Sequence, residues 1–175
     1  KVYLFDGNPG PKPTPLVGAA TPEPNAKAVA EAMQILSASN VTAGYAVVMG
    51  DESGDLTEAL AKQSELQLLL IEPDAIRAEA ARLRFANEGL YGVRIAVLMA
   101  SPEQTHLPKH FANLLIAPVG ALAEAVKAEL ARLQRPYGGV ICHREGKKIT
   151  VEKSGAPAGA GEWTHQNGNA ANTLC

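Results

Sequence analysis

Residues 45–55 read Tyr45-Ala46-Val47-Val48-Met49-Gly50-Asp51-Glu52-Ser53-Gly54-Asp55. The first five form an unbroken apolar run that stops at a glycine, the pattern of a strand covered by helices on both faces. Asp55 can cap a helix running to about Lys62, so the stretch reads as strand, glycine-bearing loop, helix. The same unit recurs downstream. Leu66 to Ile71 is a second buried strand, and Pro73-Asp74 opens a helix reaching about Asn87, with Ile76, Ala80 and Leu83 expected on its inner face. Arg94 to Met99 is a third strand and Asn113 to Ile116 a fourth. An Ala-rich helix follows from Ala121 to Leu133, with Leu122, Val126 and Leu130 at core spacing. Pro136-Tyr137-Gly138-Gly139 then turns into a fifth strand, Val140-Ile141-Cys142-His143. Upstream, Asn25 caps a helix over Ala26 to Ser37 that places Val29, Met33 and Leu36 on one face. Strands alternating with helices imply parallel pairing through right-handed crossovers, hence a three-layer, doubly wound, mostly parallel α/β domain. Val140 to Arg144, the turn Glu145-Gly146 and Lys147 to Lys153 read as a C-terminal antiparallel hairpin.

This assignment makes 25–153 the α/β domain. Before it, Val2-Tyr3-Leu4-Phe5 is a short β-prone run, and six of the 12 prolines fall between Pro9 and Pro24, so residues 1–24 read as a strand and an extended linker. After it, residues 154–175 are rich in Gly, Ala and Asn and read as a second linker running into a short strand. A length of 175 residues suits one ordinary core. The charged fraction of 19% and net charge of −2 leave no basic excess for nucleic acid, and no apolar run reaches membrane-spanning length. Cys142 and Cys175 make neither a metal motif nor a disulfide framework.

In open α/β sheets ligands bind outside the carboxyl ends of the strands, so the loop Gly50 to Gly54 is the place for chemistry. Its two glycines let backbone turn tightly and approach a ligand. Glu72 ends the second strand, where a carboxylate can accept both ribose hydroxyls of an adenosine. Taken singly these features are ordinary: a glycine after a strand is commonly a turn, and Glu72 can favour a helix N-terminus. Their order, one βα unit apart, favours binding. Other motifs are weaker. His106 and His110 are four apart but Pro108 separates them, so they read as polar loop residues. Trp163 beside His165 reads as a packing residue. No Gly-x-Ser-x-Gly elbow, phosphate loop or Cys-x-x-Cys is present.

Over roughly Tyr45 to His143 the chain resembles the class I S-adenosylmethionine-dependent methyltransferases, through the loop Gly50 to Gly54, the acid Glu72, and Arg135-Pro136-Tyr137-Gly138-Gly139 before the fifth strand. The flanks resemble blade repeats of pyrroloquinoline-quinone-type β-propellers, in Lys1-Val2-Tyr3-Leu4-Phe5-Asp6-Gly7 and in Gly161-Glu162-Trp163-Thr164-His165-Gln166. The whole is similar to the methyltransferase-like domain inserted in propeller proteins of planctomycete type. That resemblance implies S-adenosylmethionine as cofactor, lying over Gly50, Asp51, Glu52 and Gly54, Glu72 and Pro73, Ser101 and Pro102, and Ala117. It also implies the rest of a propeller chain as partner and an exported, periplasmic setting.

The sequence departs from the family at defined places. The loop carries Val48 where the family has an acid and Glu52 where it has a glycine. The third strand leads into Ala100-Ser101-Pro102 rather than an adenine-holding acid, and Asn113-Leu114-Leu115-Ile116-Ala117-Pro118 offers no general base. Methyl transfer needs positioning more than a base, so that last absence does not exclude it. Two readings follow: a methyltransferase-like domain with an altered cofactor loop, or an inactive insertion that orders the propeller or docks a partner. The direction of Glu52 and the openness of Glu72 separate them.

Overall fold

The computed structural model describes residues 25–146, 148–157 and 160. The run Val2 to Phe5, the proline-rich linker, Trp163, His165 and Cys175 lie outside the described residues. The described chain runs α1 (Ala26–Ser39), β1 (Ala43–Met49), α2 (Asp55–Gln63), β2 (Glu65–Ile71), α3 (Ala75–Asn87), β3 (Ile95–Leu98), β4 (Leu114–Val119), α4 (Glu124–Leu133), β5 (Val140–Glu145) and β6 (Lys148–Lys153). One sheet has the order β3-β2-β1-β4-β5-β6, parallel through β5, with β6 antiparallel to β5. The doubly wound α/β class with its C-terminal hairpin is therefore the observed architecture. No helix among the described residues is long and apolar enough to cross a membrane.

Local chemistry explains several boundaries. The side chain of Asn25 accepts the Lys27 N–H, and α1 ends at Asn40 in the left-handed region, whose N–H returns to Leu36 O. Asp74 accepts the N–H groups of Ile76 and Arg77 at 2.9 Å each, capping α3. The cap of α2 is Gly54 at φ 76, and Asp55 is the first helical residue rather than the cap. The helix before β5 begins at Glu124, not Ala121, although Leu122 still packs on the core.

One helix buries a different face from that expected and another departs in part: Val29 and Leu36 of α1 are half-buried against the core, as expected, while Met33 is not. α1 buries Ala28, Ala32, Ile35 and Ser39, leaving Met33 59% exposed. α3 buries Ala78, Ala81 and Phe85, leaving Ile76 and Leu83 outside. In both, alanines on the buried face flank one large buried side chain, Ile35 in α1 and Phe85 in α3. Packing of the whole face against the core decides the phase, not the rank of single apolar residues.

The sheet is covered unequally. On one face α1, α2 and α3 enclose a core containing Ile35, Leu60, Leu68, Phe85 and Ile116. On the other, α4 covers Val47, Met49, Leu115 and Ile141, helped by the irregular connection 99–113. Because that connection carries no helix, the first half of β2 and β3 is bare on this side: Glu65, Gln67 and Ala96 are exposed and Leu69 and Leu98 are half-buried. The expectation of strands covered on both faces holds for β1 and β4 but not for β2, whose residues alternate.

The connection is tied to α4 by backbone bonds from His110 N to Arg132 O at 2.9 Å and Ala112 N to Leu133 O at 3.0 Å, and by one carboxylate. Glu129 Oε1 accepts from Thr105 N at 2.9 Å and Thr105 Oγ1 at 2.6 Å, while Arg132 donates to both its oxygens and to Leu107 O. The Arg132 hydrogen bonds, aided by Thr105 and opposed by burial, hold the Glu129 carboxyl down at about 2. A depressed carboxylate stabilises the fold above its unfolded pKa and loses that stabilisation as pH falls through the folded value. Urea denaturation from pH 6 to pH 2 should therefore show a loss on the order of 2–3 kcal/mol that Glu129→Gln abolishes between the two pKa values. An identical acid profile in the variant would remove Glu129 from that role.

Candidate functional site

The strand ends define the site. Met49 of β1 is level with Ile71 of β2, and Ile71 with Leu98 of β3, so the loop after Met49, Glu72 and the segment through Ser101 emerge at one edge of the sheet. Glu72 N donates to Leu98 O at 3.1 Å, which continues the ladder one residue further.

Both loop glycines have left-handed φ, 71° at Gly50 and 76° at Gly54, and each makes room for protein. A Cβ on Gly50 would lie 3.1 Å from Pro118 Cα and Cβ, and one on Gly54 would lie 2.9 Å from the ring of Phe85. The open backbone expected for a ligand is used here for internal packing. Asp51 is likewise turned inward: its Oδ2 accepts from Thr57 N at 2.8 Å and Thr57 Oγ1 at 2.7 Å, fixing the first turn of α2. Glu52 and Ser53 face solvent. The loop is clamped from outside by Arg84, which donates to Ser53 O at 2.7 Å and pairs with Asp55 and the buried Glu58. Burial works to raise the pKa of Glu58, but the hydrogen bonds and charges of Lys62 and Arg84 outweigh it and hold the group low.

Glu72 is 3% exposed, and its Oε1 accepts from Asp74 N and from Arg77 Nη2, both at 2.8 Å. Among the described residues only this oxygen receives hydrogen bonds. Arg77 is raised by its bond to Glu72 and by the negative charges of Glu52 and Asp74. Glu52, Glu72 and Asp74 thus surround one cation, giving an acidic rim. Pro73 is exposed beside them. Ser101 is exposed and forms a tight turn with Gln104, its hydroxyl accepting from Glu103 N at 3.2 Å; Pro102 lies within that turn. Ala117 is buried and presents only its carbonyl.

The residue that sequence reasoning missed is Arg144. It is 5% exposed at the end of β5, donating from Nε to Ala117 O at 2.9 Å and from Nη2 to Met49 O at 3.0 Å and Gly50 O at 3.2 Å. Its Nη1 reaches Glu31 of α1 at 3.3 Å. The guanidinium therefore closes the crevice between β1 and β4, where the sheet reverses its winding. The signal was present in the alternation Val140, Cys142, Arg144, which puts an arginine at an inward position of a strand. Cys142, on the same face, is pushed up to about 11 by burial, so its thiol is not a nucleophile.

No protein-family model matches the sequence, and no curated protein does. Solved structures do match. A protein of Methanococcus maripaludis assigned as an S-adenosyl-L-methionine-dependent methyltransferase superposes with a TM-score of 0.62 at 23% identity, over 67% of this chain and 55% of its own. The fold is methyltransferase-like. A geranyl diphosphate methyltransferase solved with S-adenosylmethionine matches at a TM-score of 0.58 and 17% identity, over 66% of this chain and 48% of that one. The [4+2]-cyclase SpnF matches as well, with a TM-score of 0.59 and 15% identity over 66% of this chain and 43% of its own. The chain spans about half the length of these structures.

Replacing Arg144 with methionine keeps the apolar stem and strands three buried carbonyls. Chemical denaturation should show a loss of roughly 3–5 kcal/mol, and Arg144→Lys should recover only part of it, since an ammonium cannot span β1 and β4 at once.

Proposed function

We propose that this is an S-adenosylmethionine-dependent methyltransferase-like domain in which the adenosine half of the site persists and the half between β1 and β4 is closed. The observation that carries the reading is Glu72: a buried carboxylate at the end of β2, with one oxygen held by Asp74 N and Arg77 and the other free of protein hydrogen bonds among the described residues. A ribose hydroxyl meets Oε2 directly, and the second hydroxyl displaces the half-exposed Arg77. The loop through Ser101 and Pro102 flanks the adenine position. The acidic rim of Glu52, Glu72 and Asp74 favours a cationic sulfonium over an anionic nucleotide. Glu52 is exposed, and its charge acts on Arg77 beside Glu72. The methyl acceptor is unassigned.

A second reading, a catalytically inactive insertion that docks a partner or the remainder of a propeller chain, draws on two specific observations. Pro118 and Phe85 fill the space at Gly50 and Gly54 that a ligand backbone contact needs. The bare half of β2 and β3, with Tyr45 and Met99 exposed beside it, leaves apolar surface for a covering protein. The propeller context and a periplasmic setting belong to this proposal and rest on the flanking sequence.

Calorimetric titration with S-adenosylmethionine and S-adenosylhomocysteine separates the readings. The first predicts binding that Glu72→Ala weakens roughly ten- to hundredfold and Arg77→Ala strengthens, because the competing ion pair is gone. It also predicts preference for the sulfonium form. Absence of heat with a domain shown to be folded by circular dichroism overturns it in favour of the docking insertion.

A further inference from the structure

Among the described residues β6 is the last strand of the sheet, and its outer edge has a two-fold pattern. Ser154 N donates to Gly139 O at 2.9 Å, in line with the register that sets Val140 opposite Lys153 and Glu145 opposite Lys148. In an antiparallel ladder, residues alternate between turning their backbone groups toward one neighbour and the other. Lys148, Thr150 and Glu152 therefore bond to β5, and Ile149, Val151 and Lys153 present N–H and C=O outward.

A second antiparallel β6 can hydrogen-bond here only by setting outward residues opposite outward residues. Centred on Thr150, that pairing places Ile149 opposite Val151 of the copy, Thr150 opposite itself, and Lys148 opposite Glu152. Both charge pairs are then opposite in sign and both apolar pairs share a face. Centring on Val151 instead sets Ile149 against Lys153 and Thr150 against Glu152, and neither pairing is complementary. The apolar pair falls on the α1 side, where Ile149, Met33, Gln34, Ser37 and Ala38 line a shallow groove of about 420 Å³. Met33 is 59% and Val151 37% exposed there, so the copy's Val151 and Met33 extend a strip that one chain leaves uncovered.

We propose that the chain forms a two-fold dimer by antiparallel pairing of β6 with β6 of a second copy about Thr150, joining the two sheets into one. The interface is isologous, as closed symmetry requires. The pairing spans residues 148–152 of each copy, five residues, because β6 begins at Lys148. The inference does not depend on cofactor binding.

Sedimentation equilibrium of the full chain tests it, alongside three variants. The wild type is expected to be a dimer. Lys148→Glu sets carboxylates against each other twice and should weaken association roughly tenfold, and the exchange Lys148→Glu with Glu152→Lys should restore it. Val151→Pro removes an outward N–H without touching the β5 ladder and should give a folded monomer. A monomeric wild type overturns the proposal, including the case in which slow hydrogen exchange at Ile149 and Val151 shows the chain's own flanking segment on the edge. A dimer indifferent to both Lys148→Glu and Val151→Pro places the interface elsewhere and overturns it too.

Discussion

A parallel sheet that reverses its winding direction leaves backbone carbonyls diverging at the reversal, and in this chain Arg144 satisfies them. The helices that follow β1 and β4 depart to opposite faces, and β4 meets β5 again only at Val119 opposite Arg144, after a register shift that turns the carbonyl of Ala117 out of the ladder toward the guanidinium. One guanidinium offers a planar fork of donors that reaches the carbonyls of Met49, Gly50 and Ala117 and still contacts Glu31 on α1. The cost of burying its charge is offset by this complete set of acceptors. The register of β4 against β5 shifts between Ile116 and Val119, and Pro118, within the shift, rests on Gly50. The strand end, the loop and the first helix are thereby fixed as one unit.

That constraint divides the ligand edge of the sheet. Toward β4 the crevice is occupied by Arg144 and Pro118. Toward β2 it carries the buried Glu72, with Arg77, Glu52 and Asp74 exposed around it. In the proposed function the β2 side is the half that orients a nucleoside, and the β4 side is the half given over to internal contacts. The fold itself does not name the reaction, since a [4+2]-cyclase shares it with methyltransferases at similar structural likeness. Assignment must come from the site.

Charge around α2 and α3 reinforces the same arrangement. Arg84 links Ser53 O to Asp55 and Glu58, and Lys62 connects Glu58 with Glu88 at 3.0 Å. Three buried nitrogen and oxygen atoms, Arg84 Nε and both oxygens of Glu88, lack aligned hydrogen-bond partners, so the network holds the helices by charge more than by directed bonds. On the opposite face one carboxylate, Glu129, joins the backbone bonds of His110 and Ala112 in performing the corresponding task for the helix-free connection between β3 and β4.

The sequence by itself determined the element order, the parallel class and the hairpin, because apolar runs such as Tyr45 to Met49 and Leu66 to Ile71, bounded by caps and glycines, report burial and turn chemistry that are local properties. It also located Glu72, since the acid ends a strand. The tertiary structure alone decided which face α3 buries, because hydrophobicity does not rank Ala78 and Ala81 beside Phe85 above Ile76 and Leu83. Only the fold filled the space at Gly50 and Gly54 with Pro118 and Phe85, contacts between residues far apart in the chain. Arg144 is the clearest case: the alternation in β5 marks its position as inward, but its role exists only where three strand ends and a helix meet.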